Sequence, residues 1–270
     1  MVVKHVFAIS AYGQSPYLEE CIVSLEQQSL PGEVFICTST PSDFLKGLAG
    51  QHGLPLFVRE GTPSLRADWN FCVETARGAG AELLTIAHQD DVYLPDYAAS
   101  VRGAAVPGAS LIFTAAENID SLGRPVSDKA EKIKRILRWP LSAGLGTTPF
   151  GRRLTLAFGN PVPCPACTYN LNYVNQNGEL FGNDYRFVID WKALGDLAEK
   201  DGSFVYIKNP GVRIRLHEGQ ETRRLSQDNI RQREELEMFR RYHSRPAAEL
   251  LMCFYRKAGT PDAGETGKRN

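Results

Sequence analysis

Nowhere does the sequence hold an apolar run near the roughly 20 residues that cross a bilayer, so no spanning helix is expected. Its start, MVVKHVFAIS, lacks the long apolar stretch and small-residue cleavage site of a signal peptide, and a cytoplasmic protein is expected. Net charge is missing as well: 31 basic residues balance 31 acidic ones, with an isoelectric point near 7.0. Without a basic excess there is no bulk field to hold a polyanion, which argues against a nucleic-acid binder. Cysteine is sparse, six in 270 residues, and most sit among apolar neighbours, as reduced buried thiols do. Cys164-Pro-Ala-Cys167 has redox or metal spacing, yet no second pair completes a zinc site, so packing in a loop is the simpler reading. Nucleotide signatures are absent too. The first βα turn has no GxGxxG, and no GxxxxGK[ST] occurs anywhere, which removes the dinucleotide fingerprint and the usual phosphate loop.

What is present is a core and an alternation. With 43% hydrophobic residues, the chain can bury a sizeable interior as one large domain or two closely joined lobes. VVKHVFAIS reads as a buried strand, PYLEECIVSLEQQS as an amphipathic helix opened by Pro16, and EVFICTS as a second strand. PSDFLKGLAGQHG reads as a helix ending in glycine, LPLFVRE as a third strand, and Ser64 to Arg77 as another helix. Strand ELLTIAHQ, helix DYAASVRGAA and strand ASLIFTAAENID follow. Repeated β-α-β units imply an α/β fold with a mostly parallel sheet flanked by helices. In such sheets ligands bind outside the carboxyl ends of the strands.

Residues 124–160 break the alternation. KAEKIKRILRW, Lys129 to Trp139, reads as a short basic amphipathic helix, and GLGTTPFG after it as a loop. The helix is either a solvated surface helix or a place for an anionic or membrane-borne partner. Beyond Asn160, IDWKALGDLAEKDG reads as a helix and FVYIKNPGVRIRLHEGQ as a pair of strands. Ser226 to Tyr242 reads as a charged helix, AAELLMCFYRKA as a more apolar one beyond Pro246, and GTPDAGETGKRN as a disordered tail. No internal repeat occurs.

Three places could carry chemistry. In IAHQDDVYLP, Asp90 and Asp91 stand side by side where a buried strand ends. Carboxylates there suit a hard divalent cation that takes oxygen ligands together with substrate phosphates. The plain alternative is a solvated turn or a helix cap, where aspartate is also favoured. A second cluster, Arg213, Arg215, His217, Glu218 and Gln220, lies in VRIRLHEGQET. Arg213, Arg215 and His217 alternate along one strand face, where they could meet phosphates or a metal, or could be the exposed charges of an edge strand. The third place is Asp190, between an apolar stretch and a helix, where a capping aspartate would also stand. Ile189 and Trp191 beside it would partly desolvate it and raise its pKa, which suits a general base.

The order FAISAYGQSPYLEECIVSLEQQ, WNFCVETARGAGAELLTIAHQDDVYLPDY, IDWKAL, RIRLHEGQET resembles the family 2 glycosyltransferases of the GT-A (Rossmann-like) fold, over roughly residues 5–225. The resemblance implies an inverting, metal-dependent enzyme that uses a nucleotide-diphosphate sugar, with a UDP-sugar as the expected donor. Its hydroxyl acceptor would be a growing cell-surface glycan or a lipid-linked saccharide, in polysaccharide biosynthesis, with possible contact at the inner face of a membrane. Residue by residue, the family's Asp-x-Asp motif falls on His88-Gln89-Asp90, followed by Asp91. Asp90, Asp91 and His217 are the expected ligands of Mn²⁺ or Mg²⁺, His88 and Gln89 line the donor, and Asp190 matches the base that deprotonates the acceptor. Ser10, Ala11 and Tyr12 match the strand end that lines the nucleotide pocket, and Arg215 is expected against the leaving diphosphate.

Two positions depart from the family. Cys37-Thr38-Ser39-Thr40 stands where an Asp-Asp pair is frequent, so Thr38 and Ser39 are the expected substitute contacts to the nucleotide. Trp69-Asn70 stands where Arg-Asn is frequent, so a phosphate contact is missing or is supplied by Arg66 beside Asn70. The implied organisation is a nucleotide-sugar half at 1–123, an insertion at 124–160 and an acceptor-side catalytic subregion at 161–225. C-terminal helices at 226–258 and a tail at 259–270 complete it. Two competitors remain. A sugar nucleotidyltransferase would want a glycine-rich basic loop where SAYGQSP stands, and a non-catalytic nucleotide- or carbohydrate-binding protein would keep the fold alone.

Overall fold

The computed structural model describes residues 3–127, 129–174, 179–182, 185–218 and 230–259. Three βα units open the chain. β1 (His5–Ala11), α1 (Leu18–Glu26), β2 (Glu33–Thr38), α2 (Asp43–Gln51), β3 (Leu56–Val58), α3 (Leu65–Gly78) and β4 (Leu83–His88) follow one another. The four strands pair in parallel in the order β3-β2-β1-β4. Each face of β1 is covered, which is why its residues are apolar almost without interruption. Phe7, Ile9 and Ala11 pack with Leu18, Ile22 and Leu45 on one side, while Val6 and Ala8 pack with Trp69, Cys72 and Val73 on the other. Ser42 and Ser64 cap α2 and α3 by accepting the N–H of Leu45 and Ala67.

Beyond β4 the sheet is mixed. β5 (Val92–Tyr93), α4 (Tyr97–Gly103), β6 (Ala109–Ile119) and β7 (Pro125–Val126) come next. β8 (Cys167–Asn170) inserts antiparallel between β4 and β6, and β9 (Ser203–Arg215) runs parallel to β6. β5 pairs antiparallel with the end of β9, and β7 with β6. The order across the sheet is β3-β2-β1-β4-β8-β6-β9-β5. A buried polar chain pins β8 in place: His5 Nε2 lies 2.9 Å from Thr85 Oγ1, Thr85 is 2.6 Å from Thr168, and Thr168 is 2.9 Å from the Tyr97 hydroxyl. Burial lowers the His5 pKa to about 3, so the ring is neutral there.

Two elements differ from the sequence-based reading. FVYIKNPGVRIR is one strand rather than two, because Pro210 falls at a register shift opposite Ala115, where a missing N–H costs the ladder little. GLGTTPFG is not a loop: after a 3₁₀ turn at Leu145–Thr147, Thr148 caps α7 (Pro149–Leu156) with proline in its first turn. Its glycines allow close approach. A β-carbon on Gly151 would meet the Leu145 carbonyl oxygen at 2.2 Å, and one on Gly146 the Phe204 carbonyl oxygen at 2.1 Å. α5 (Lys129–Leu137) and α6 (Trp139–Ser142) precede this turn.

α8 (Ile189–Ala198), α9 (Ile230–Tyr242) and α10 (Arg245–Gly259) pack on the α3 side of the sheet. Buried Arg152 of α7 donates to the carbonyls of Ala198 and Lys200 at 3.0 and 2.8 Å, closing the C-terminal end of α8. The expected helix start at Ser226, the residue Gln220 and the tail from 260 onward lie outside the described residues. Among the described residues no helix is long and apolar enough to cross a membrane.

Candidate active site

Parallel register brings the expected nucleotide residues to one edge. Ser10 stands level with Cys37 on one side and His88 on the other, and Ala11 stands level with Thr38. Tyr12 follows with its ring half exposed. Its backbone is held by the Gln89 side chain, which accepts the Tyr12 N–H at 2.9 Å and donates to the Tyr12 carbonyl at 3.0 Å. Gln89 therefore ties two strand ends together, a role different from the donor contact expected of it. Thr38 likewise turns inward: it is buried, and its hydroxyl accepts the Thr40 N–H at 3.0 Å. Thr40, not singled out by the sequence, accepts the Gly13 N–H at 2.8 Å and so fixes the first βα turn. Ser39 is half-buried, and its hydroxyl has no partner among the described residues.

Asp90 gathers the site's polar groups. One carboxylate oxygen accepts the Ser15 hydroxyl, and the other lies 3.1 Å from His217 Nε2. The pairing of β5 with β9, Val92 opposite Arg213, carries the Asp90–Asp91 turn to this neighbourhood. Asp91 points the other way. It is buried, accepts the Arg215 backbone N–H at 2.9 Å, and burial pushes its pKa up to about 8 against that hydrogen bond. Asp91 was expected as a metal ligand, and its buried carboxylate supports the β9 backbone instead.

Arg215 also departs from expectation. Its guanidinium is buried and donates to the carbonyls of Asp90 at 3.0 Å and Asp120 at 3.3 Å, pairs with Glu20 and lies 4.5 Å over the Tyr17 ring. It holds β9 to the first βα turn rather than facing a diphosphate. His88 stacks on Trp69 at 5.4 Å, and burial lowers its pKa to about 4.

Asp190 sits in the first turn of α8, not at the cap. Its carboxylate accepts Asn160 Nδ2 at 2.8 Å and the Trp191 N–H at 2.7 Å. Burial raises its pKa to about 6, and the Trp191 N–H, Lys134 and Asn160 each favour the charged form against that trend. The N-terminus of α8 is closed from outside: Glu234 of α9, itself buried, accepts the N–H groups of Arg186, Phe187 and Val188 at 2.9, 2.7 and 3.2 Å. No pattern in the sequence links Glu234 to that turn. Between the two carboxylate regions lies Cys164, whose thiol is pushed up by burial first and then by Asp190, Cys167 and Asp91. The Cys164–Cys167 pair is free of disulfide, but it does not lie in the loop expected: Cys164 opens a 3₁₀ turn and Cys167 begins β8.

Two further positions lie toward α3. Asn70, a candidate donor contact, is buried, and its amide exchanges hydrogen bonds with the Phe181 backbone at 3.1 and 3.4 Å. Arg66 is partly exposed and ion-paired with Glu179 at 2.8 Å, a surface pair weak enough to exchange for a phosphate. A cleft of about 540 Å³ lies between β6, β7 and α5, with Glu117, Asn118, Lys132 and Arg135 among its walls.

Asp90 and His217 supply one carboxylate and one imidazole within 3.1 Å of each other, and no cluster of three metal-type side chains occurs among the described residues. Two protein ligands suit Mg²⁺ or Mn²⁺, which keep waters and take substrate phosphates, better than a cation caged by protein alone. The residues fit such an ion.

No family model matches the sequence, and neither does any curated protein. Solved structures do match. TarS 1–349 from S. aureus in complex with UDP-GlcNAc superposes with a TM-score of 0.64 at 12% identity, over 95% of this chain and 72% of that one. The mannosyltransferase PcManGT from Pyrobaculum calidifontis, in complex with GDP-Man and Mn²⁺, gives 0.61 at 16% identity over 96% and 76%. Glucosyl-3-phosphoglycerate synthase from Mycobacterium tuberculosis, with Mn²⁺ and UDP-glucose, gives 0.53 at 14% identity over 97% and 82%. The chain has the GT-A fold of these glycosyltransferases, as its sequence motifs led one to expect.

Proposed function

We propose that the protein is an inverting glycosyltransferase that moves a sugar from a nucleotide diphosphate to a hydroxyl acceptor with a divalent metal. The observation that carries this reading is the presence of two carboxylates held in unlike surroundings. Asp90 is hydrogen-bonded by Ser15 and His217 at the carboxyl end of β4, and Asp190 has its pKa raised to about 6 at the start of α8. Carboxylates held by such different partners can divide ligand binding from proton transfer. Structural neighbours crystallised with UDP-GlcNAc, GDP-Man or UDP-glucose, two of them with Mn²⁺, support the donor class and the metal.

Asp90 and His217 would hold Mn²⁺ or Mg²⁺, whose positive charge offsets that developing on the departing diphosphate. The donor would lie along the edge formed by Ser10, Ala11, the exposed Tyr12 ring and Ser39, with Arg66 exchanging Glu179 for a phosphate. Asp190 takes the proton of the acceptor hydroxyl as that oxygen bonds to the anomeric carbon and the diphosphate leaves with the electrons of the broken bond. A base with a pKa near 6 is ionised at neutral pH yet basic enough to accept that proton. Asn160 and the Trp191 N–H fix the carboxylate's orientation while it waits. One displacement from the face opposite the leaving group inverts the anomeric carbon. The cleft beside β6, β7 and α5 is the proposed approach for a glycan or lipid-linked saccharide.

Thermal-shift screening of nucleotide sugars with and without Mn²⁺ tests the reading. A true donor at a hundredfold excess over its Kd stabilises the fold by about 2.7 kcal/mol, and only with the metal. No metal-dependent shift with any common nucleotide sugar overturns it.

A further inference from the structure

α5 is turned inside out. Some of its charge lies on the inner side: Arg138, which follows the helix, is buried, pairs with Glu131 and lies 5.3 Å over the Tyr206 ring. Lys134 is half-buried and close enough to Asp190 to favour its carboxylate. The outer side carries Ile133, Ile136 and, at the first position of α6, Trp139, exposed by 50%, 71% and 61%. A surface helix of a water-soluble domain has the reverse arrangement. At three-residue spacing these side chains fall within about a third of the helix circumference. The other exposed residues between Ala130 and Trp139 are Ala130 itself, Lys132 and Arg135, so the exposed residues of this stretch are apolar or cationic, with the partly exposed Glu131 paired to Arg138. Phe150, exposed by 70%, opens the neighbouring helix α7.

Charge decides what covers this surface. Isoleucine and tryptophan interleaved with lysine and arginine match a layer that is apolar below and anionic at its face, the interface of a bilayer with acidic lipids. We propose that α5 and the start of α6 lie on such a membrane, with Ile133, Ile136 and Trp139 entering the interface and Lys132 and Arg135 meeting lipid phosphates. The segment would rest on the membrane without spanning it, in keeping with its length. Where the transferase reading also holds, Lys134 on the inner side sets Asp190 behind the docked helix, so that an acceptor anchored in the headgroup layer would meet the base.

The experiment uses the full chain and lipid vesicles. Trp69 and Trp191 are buried, so of the three tryptophans Trp139 alone reports on the surface. Its emission should shift to the blue, and the protein should sediment with vesicles, when phosphatidylglycerol is mixed into phosphatidylcholine. Phosphatidylcholine alone should give much less of both effects, and high salt should reverse them. Ile133→Ser with Ile136→Ser should weaken vesicle binding more than tenfold, and Lys132→Gln or Arg135→Gln about fivefold each, with circular dichroism unchanged. The proposal is overturned by no shift on acidic vesicles, by variants that bind as the parent does, or by a lipid-free dimer in sedimentation that already buries Trp139. The readout is lipid binding and not transfer, so its failure and that of the transferase reading are separable.

Discussion

Asp90 and Asp190 reach their places by different means. Asp90 is held by strand ends: Ser15 follows β1, His217 follows β9, and the β5–β9 pairing joins them. Asp190 is held by helices: Asn160 comes from the segment after α7, and Glu234 of α9 closes the turn that leads into α8. A sheet register fixes many neighbours at once, because each pairing determines the next. A helix contact fixes only the residues that meet, so one lost side chain can loosen the surroundings of Asp190 and leave those of Asp90 intact.

Substituting the two carboxylates should split binding from chemistry, and this is the largest expected effect. Asp190→Asn should reduce transfer by about a thousandfold while keeping the Mn²⁺-dependent donor shift in melting. Asp90→Asn should remove that donor shift. Equal loss of donor binding in both variants would break the distinction. Because burial already disfavours the Asp190 charge, its asparagine variant should melt no lower than the parent.

Glu234→Ala comes next. It leaves three N–H groups at the start of α8 without their acceptor and should cost about 2–3 kcal/mol in denaturant unfolding. In the folded variant kcat should fall more than donor KM rises. A loss confined to donor KM would show that α9 does not position the base.

The smallest effect sharpens the account of the base itself. With Asp190 titrating near 6, kcat/KM should rise through that pH and level off above it, since only the ionised carboxylate accepts a proton. Asn160 favours the charged form, so Asn160→Leu should move that limb to higher pH and leave donor binding as it was. A limb that stays in place would remove Asn160 from the base's environment.

The same contrast explains what the sequence made legible. Ser10, Thr38, His88 and Asp90 stand at ends of apolar runs, and a period of two with short connections places such ends along one edge. Which of them face a ligand was not legible, since burial of Thr38 and Asp91 and the docking of Gln89 on Tyr12 depend on side-chain geometry. Arg215 read as a diphosphate contact because arginine suits that chemistry, and Asn70 as a donor contact, but the fold turns both inward. Glu234 stood in a charged helix with nothing to mark it, and it meets the α8 turn from 48 residues away. α7 was missed although Thr148-Pro149 is a helix-opening pair, because the glycines around it read as a loop.

The order of these contacts along the chain has a consequence for synthesis. The contacts around Asp90 are complete once Arg215 and His217 have joined the Asp90–Asp91 turn. The turn before Asp190 is closed only when Glu234 has followed. A nascent chain therefore completes the surroundings of Asp90 before those of Asp190; on the transferase reading it would grip a donor before its base is positioned, and would transfer no sugar until α9 has left the ribosome and docked.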